Sequence, residues 1–253
     1  MDLTTDINFI NLGPGKESTT DIEAMTVELF VELLHSFYEQ GWMRGTGGAM
    51  AVRQGNILIV SPSSLQKDRM KSVDLFVYNL EAKSLSSRPP NARISVSSCG
   101  VLFTLIMSLT GTQCVIHTHS KAANLITQLL KDEDAFEISH QEYIKGVYDP
   151  FTGGNMSYEG PLTIPIIPNK PTEDMLLDSI RSSIEKFPRS PAVLVRNHGI
   201  FVWGPNWERT KITTECIEYL LDLAIEMKRN KIQLCQEAEA AEKLDYMQTV
   251  FSE

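Results

Sequence analysis

Two short β-prone runs, 49–53 (AMAVR) and 57–61 (ILIVS), are separated only by Gln54-Gly55-Asn56. A link of that length and composition closes a hairpin, and a hairpin obliges its two strands to run antiparallel. Parallel neighbours would need a crossover of a dozen or more residues, which the three-residue link cannot supply. A doubly wound parallel sheet is therefore excluded here, and helical periodicities before and after the hairpin predict a layered α/β domain around a largely antiparallel sheet.

The helical signals bracket the chain. Thr20 and Glu23 fit a capping box, and Met25, Leu29, Leu33, Leu34, Phe37 and Tyr38 recur at helical spacing until Gly41, predicting a first helix over 20–40. A last helix from Asn206 is amphipathic through Ile212, Cys216, Tyr219, Leu220, Leu223 and Met227, then turns charged and alanine-rich. Between them, 74–79, 113–119, 162–167 and 192–196 read as strands. Segments 101–109, 121–130 and one from about Thr172 to before Pro188 read as helices, and the serine- and proline-rich 84–91 as a loop. No internal repeat or long linker divides the chain, so we expect one domain over 19–230, a flexible arm over 1–18 and a charged helical or frayed tail over 231–253.

Composition removes several functional classes. With 23 Lys+Arg against 32 Asp+Glu the net charge is -9, which repels phosphate backbones and anionic lipid. Nucleic-acid and membrane partners are not expected. The four cysteines (Cys99, Cys114, Cys216, Cys235) contain no CxxC pair and read as reduced thiols. No apolar stretch approaches the ~18 residues of a membrane span, and the N-terminal residues lack a basic, apolar leader pattern, so the expected compartment is the cytoplasm.

Chemistry concentrates where apolar strands end. In Val115-Ile116-His117-Thr118-His119 the period of two puts both imidazoles on one face of a strand, at a spacing that suits two ligands of one metal. His198 sits at a second strand end, in Val195-Arg196-Asn197-His198-Gly199. A single histidine in such a place is more commonly a core residue bonded to a carbonyl, but three imidazoles with an open fourth position are the donor set of a catalytic zinc. Glu142, in the strand-like ISHQEYIKG run, is either a proton-transfer carboxylate beside that metal or a solvated glutamate on an edge strand. Gly45-Thr46-Gly47-Gly48, Ser61 to Ser64 and Ser97-Ser98 offer glycine amides, hydroxyls and a helix start that could hold a phosphate, although a glycine turn can equally be only a turn. Neither a P-loop nor GxGxxG is present. Cys99 opens the same helix, as a stabilised thiolate or an inert buried thiol.

GWMRGTGGAM, SPSSLQKDRM, IHTHSKAA, ISHQEYIKG and LVRNHGIFVWG occur in the order found in the class II aldolase/adducin family, and the chain resembles that family over roughly 22–230. The resemblance implies a single three-layer α/β/α domain with a central, mostly antiparallel sheet, assembled as a homotetramer with sites near subunit interfaces. It implies one Zn²⁺ per subunit on His117, His119 and His198, with Glu142 as catalytic acid/base. Cys99 stands where sugar-phosphate aldolases of the family carry their catalytic glutamate. Thr46, Gly47, Ser63, Ser97, Ser98 and Lys67 match the phosphate-binding region, with Cys99 lining the substrate pocket. HTHSKAA and HQEYIKG are similar to the dehydratase branch. That branch implies a zinc lyase of methionine salvage removing water from 5-methylthioribulose 1-phosphate to give 2,3-diketo-5-methylthiopentyl 1-phosphate. An aldolase or epimerase acting on another sugar phosphate, or an adducin-like module without chemistry, are the alternatives.

Overall fold

The computed structural model describes residue 12 and residues 23–236. Nine strands form one sheet: β1 (Ala49–Gln54), β2 (Ile57–Val60), β3 (Phe76–Asn79), β4 (Ser84–Ser87), β5 (Cys114–Thr118), β6 (Ala135–Ile138), β7 (Leu162–Ile167), β8 (Ala192–Val195) and β9 (Gly199–Gly204). Their spatial order is β4-β3-β2-β1-β5-β9-β8-β7-β6. Seven of the eight pairings are antiparallel; only β7 and β8 run parallel. The expected hairpin is present, with Gln54 already paired to Ile57 so that Gly55 and Asn56 alone make the turn.

Among the described residues five α-helices cover the sheet: α1 (Val27–Glu39), α2 (Gly100–Thr110), α3 (Lys121–Leu129), α4 (Leu177–Lys186) and α5 (Trp207–Arg229). Strand alternation sorts the core into two layers. Ala51, Val115, Val193 and Phe201 pack with α2 and α4 on one face. On the other, Met50 and Ile116 pack with α1, while Leu194 and Val202 pack with α3 and α5. The expected α/β/α sandwich is therefore observed. Among the described residues no helix is long and apolar enough to cross a membrane.

Several boundaries differ from expectation. Thr20 lies outside the described residues, and 23–26 are not helical. The first helix starts later because Thr26 is its cap, its hydroxyl accepting from the Leu29 N–H at 3.1 Å. The predicted loop 84–91 contains β4, a polar strand closing one sheet edge against β3. Residues 199–204, to which the sequence patterns assign no element, form β9 beside β5 at the middle of the sheet. The strand-like 138–146 run divides: β6 ends at Ile138, and a 3-10 turn, Glu142–Gly146, follows with only Ile144 buried. Most of the expected arm and the tail beyond 236 lie outside the described residues; Leu12 is buried against the α2 and α4 layer.

Candidate metal centre

The two central strands, β5 and β9, carry the site. His117 faces Phe201 across the ladder, and its ring stacks on the Phe201 ring at 3.9 Å and 9°. His119 follows β5 immediately; its N–H donates to the Trp42 carbonyl at 2.8 Å, which ties it to the turn after α1. His198 lies in the tight loop between β8 and β9, where Asn197 adopts a left-handed φ of 57° and donates its N–H to Thr127 Oγ1 at 3.0 Å. Arg196 straps that loop to α3, donating to the Thr127, Leu130 and Glu133 carbonyls.

Hydrogen bonds on the outer nitrogens decide what the inner ones offer. His117 Nδ1 lies 3.0 Å from the Ile200 carbonyl, and His198 Nδ1 lies 3.1 Å from Asn169 Oδ1. A carbonyl oxygen only accepts, so His117 carries its proton on Nδ1 and turns an Nε2 lone pair inward; the Asn169 amide oxygen does the same for His198. His119 Nε2 is 2.9 Å from each of those two atoms. One N–H on His119 cannot be donated to both neighbours. With that proton on Nδ1 instead, three Nε2 lone pairs converge within 4.8 Å of one another, an arrangement that fits a cation. Burial, then the neighbouring imidazoles, pushes the His117 pKa well below its usual value. Burial lowers His198 as well and takes His119 down to about 4, although His119 stands at the solvent-facing rim, where water moderates the effect. All three are neutral at pH 7 and free to ligate.

Cys99 and Glu173 form a second wall, their sulfur and carboxylate within 4.8 Å of each other and of a His117 nitrogen. Cys99 precedes the first turn of α2 and is buried, which pushes its thiol up to about 12, so it is a thiol and not a thiolate. Glu173 Oε1 stands 3.8 Å from His198 Nε2, while its Oε2 is buried without a hydrogen-bond partner. Burial, then Asp174, raises its pKa. Sequence reasoning missed Glu173 and Asn169 because Asn169-Lys170-Pro171-Thr172-Glu173 is polar and aperiodic; only its position just after an apolar strand marks it.

Gly47 sits against the cluster: a Cβ there would lie 2.6 Å from His119 Nδ1, so any side chain would push the ring. Lys67 is fully buried, and its Nζ donates to the Thr46 carbonyl at 3.1 Å and the Leu65 carbonyl at 3.2 Å, leaving one ammonium proton uncommitted. Burial lowers its pKa to about 8, opposed by Cys99, so it remains largely charged at pH 7. The serine segments run together, Ser63 N–H donating to the Ser95 carbonyl and Ser97 N–H to the Ser61 carbonyl. Ser97 is buried, with its hydroxyl accepting from the Cys99 N–H at 3.3 Å, and Ser98 is exposed. Thr46, Gly47, Ser97, Lys67 and Cys99 are thus linked around one side of the imidazoles.

Glu142 is not among the residues clustered there. It opens the 3-10 turn, its side chain is 73% exposed, and its carboxylate pairs with Lys145 Nζ at 2.9 Å. Beside it, Tyr143 and Tyr219 stack at 3.9 Å on an exposed face.

The family described as Class II Aldolase and Adducin N-terminal domain matches residues 28–225. A Caenorhabditis elegans relative called probable methylthioribulose-1-phosphate dehydratase is 60% identical over 229 residues, 90% of this chain and 86% of its own. The human protein called methylthioribulose-1-phosphate dehydratase is 41% identical over 201 residues, 79% of this chain and 83% of its own. Among solved structures, an L-fuculose 1-phosphate aldolase superposes with a TM-score of 0.61 at 16% identity, covering 91% of this chain and 98% of that one, a likeness of fold alone.

Proposed function

Because the chain belongs to the class II aldolase and adducin family, we propose that it is a zinc-dependent hydro-lyase of methionine salvage, dehydrating 5-methylthioribulose 1-phosphate to 2,3-diketo-5-methylthiopentyl 1-phosphate. The observation that carries this reading is the relative of that name, 60% identical over nine-tenths of the chain. The convergent Nε2 lone pairs of His117, His119 and His198 support it independently. Zinc held there would supply Lewis acidity to the substrate's C2 carbonyl and C3 hydroxyl, and an all-imidazole donor set suits Zn²⁺ over Mg²⁺, which prefers oxygen ligands.

The chain's own residues do the rest. Glu142 takes the C3 proton; the C4–O bond breaks, the departing hydroxyl leaving as water with a proton returned by Glu142, and the C3 enol ketonises. No oxidant or reductant is required. Lys67, with its uncommitted ammonium proton, and Thr46, Gly47, Ser63, Ser97 and Ser98 hold the phosphate at the glycine turn. Cys99 lines the pocket as a neutral thiol. Glu142 lies at an exposed turn outside the imidazole cluster of its own chain, and we place it in the site of a neighbouring subunit of a homotetramer; the exposed Tyr143–Tyr219 face beside it supports such a contact. The proposed compartment is cytoplasmic.

The test is product analysis with zinc-loaded protein. Loss of one water from 5-methylthioribulose 1-phosphate, abolished by a chelator and restored by zinc, is the expected result. Cleavage to a three-carbon phosphate and an aldehyde would assign an aldolase instead, and an inert protein would leave only the interaction-module reading.

A further inference from the structure

Glu218, on the middle of α5, is 1% exposed, and nothing in the proposed reaction uses it. Its Oε1 accepts from the Thr118 hydroxyl at 2.6 Å, whereas Oε2 has no hydrogen-bond partner. Ile217, Leu220 and Leu221 around it are wholly buried, so an apolar side chain at this position would pack without the cost of desolvating a carboxyl group. An acid kept in such a place at that cost holds something in register.

What it holds is the residue at the centre of the site. Thr118 lies between His117 and His119, and alternation along β5 turns its side chain toward α5, away from the face that carries the imidazoles. Its carbonyl abuts β9 so closely that a Cβ on Gly199 would come within 2.0 Å of it, and Gly199 follows His198. Ser120, one residue past His119, caps α3 by accepting from the Ala123 N–H at 3.0 Å. Glu218 on the opposite layer therefore fixes the residue between His117 and His119, and through Thr118 the chain segments bearing all three ligands.

We propose that Glu218 is a positioning residue for the metal centre, anchoring the β5 end through the Thr118 hydroxyl so that the three Nε2 atoms are convergent before the ion arrives. This rests on the reading of the histidine cluster as a metal site. Partners of metal ligands in this class of arrangement typically change affinity ~10- to 100-fold when removed.

The experiment is zinc affinity by competition with a chromophoric chelator, on full-length protein, at a temperature well below unfolding. Glu218→Met and Thr118→Val should each weaken zinc about 10- to 100-fold. Glu218→Gln, which keeps an acceptor at Oε1, should recover most of the loss, and the Thr118→Val/Glu218→Met pair should be little worse than either single change, since both cut one link. If Glu218→Met does not fold, Thr118→Val carries the comparison. Wild-type affinity in Thr118→Val would overturn the proposal, as would a loss in Glu218→Met that Gln fails to recover. A wild-type protein that takes up no zinc would instead overturn the metal reading itself, and this proposal with it.

Discussion

Replacing Gly47 by alanine tests whether the glycine turn and the metal centre are one construction. The added Cβ would lie 2.6 Å from His119 Nδ1 and 3.3 Å from the Arg44 carbonyl. Ordinary van der Waals contact begins at 3.4 Å, so the ring must retreat by 3.4 minus 2.6, or 0.8 Å, or the turn must open by as much. His119 cannot simply swing away, because its Nε2 lies 2.9 Å from both partner nitrogens and its backbone is tied to Trp42. Overpacking of this kind costs about 1–3 kcal/mol, and if the strain falls on the metal-bound arrangement that is about 5- to 150-fold in zinc affinity. Gly45 is the control: its φ of 62° penalises any side chain, yet a Cβ there meets nothing within 4 Å. Gly45→Ala should cost about 1–2 kcal/mol of folding stability with zinc affinity unchanged. The assay is chelator competition for zinc beside thermal denaturation on both variants. Wild-type zinc affinity in Gly47→Ala, or equal losses in both, would refute the argument that the turn is glycine because the imidazole needs the space.

Further outcomes follow from the same geometry. His117→Ala should lose both metal and activity, and a full zinc complement in that variant would place the site elsewhere. Glu142→Gln should lower kcat and kcat/KM together by ~10²- to 10⁴-fold with zinc retained, while Cys99→Ala costs far less; near-wild-type turnover in the first and collapse of the second would reverse their roles. If the site is shared between copies, mixing Glu142→Gln with His117→Ala protein under conditions that exchange subunits should regain activity that neither has alone, and failure to recover would argue against a shared site. Ser97→Ala should raise KM for the phosphorylated sugar more than it lowers kcat, since phosphate contacts are shared by ground and transition states; an unchanged KM sinks that assignment. In metal-free protein His119 is held near 4 from an ordinary 6.5, so the unfolded chain binds the extra proton. Its contribution to stability is present above about 6.5 and is lost as pH falls toward 4, and His119→Gln should lose less melting temperature over that interval than wild type.

What could be read in the sequence is what local periodicity encodes. Gln54-Gly55-Asn56 between two β-prone runs fixes an antiparallel pair without knowledge of the rest of the chain. The His-x-His spacing works because parity on a strand is strict, and the structure brings His117 and His119 together with His198 from 79 residues further along. Where the signal is not periodic it fails. GIFVWG is buried on both faces as β9, so it shows no alternation, and its leading glycine imitates a turn. Ser84–Ser87 is polar because it is an edge strand, and polar runs with proline nearby read as loops. Glu173 and Glu218 gain their meaning only from tertiary contact: each is an acid in an unremarkable stretch until folding buries it beside the imidazoles or behind them.

The titratable groups around the cluster also bear on which reaction this member of the fold performs. Cys99, by resemblance, occupies the position of the aldolase glutamate, and its thiol is pushed up to about 12 by burial, with the nearby Glu173 acting in the same direction. At pH 7 the group is a thiol, so a base at this position is absent. Lys67 is cationic and spends two of its three protons on carbonyls, which suits it to an anion and not to accepting a proton. Glu173 is held against His198 with its pKa raised, close enough to the imidazoles to shape the site. Deprotonation of a carbon acid needs a base able to approach from the open side of the three imidazoles. Glu142 is exposed and pairs with Lys145, a surface contact worth little in water and readily exchanged. The chain therefore has no ionised base at Cys99, which favours the proposed loss of water over cleavage of a carbon–carbon bond.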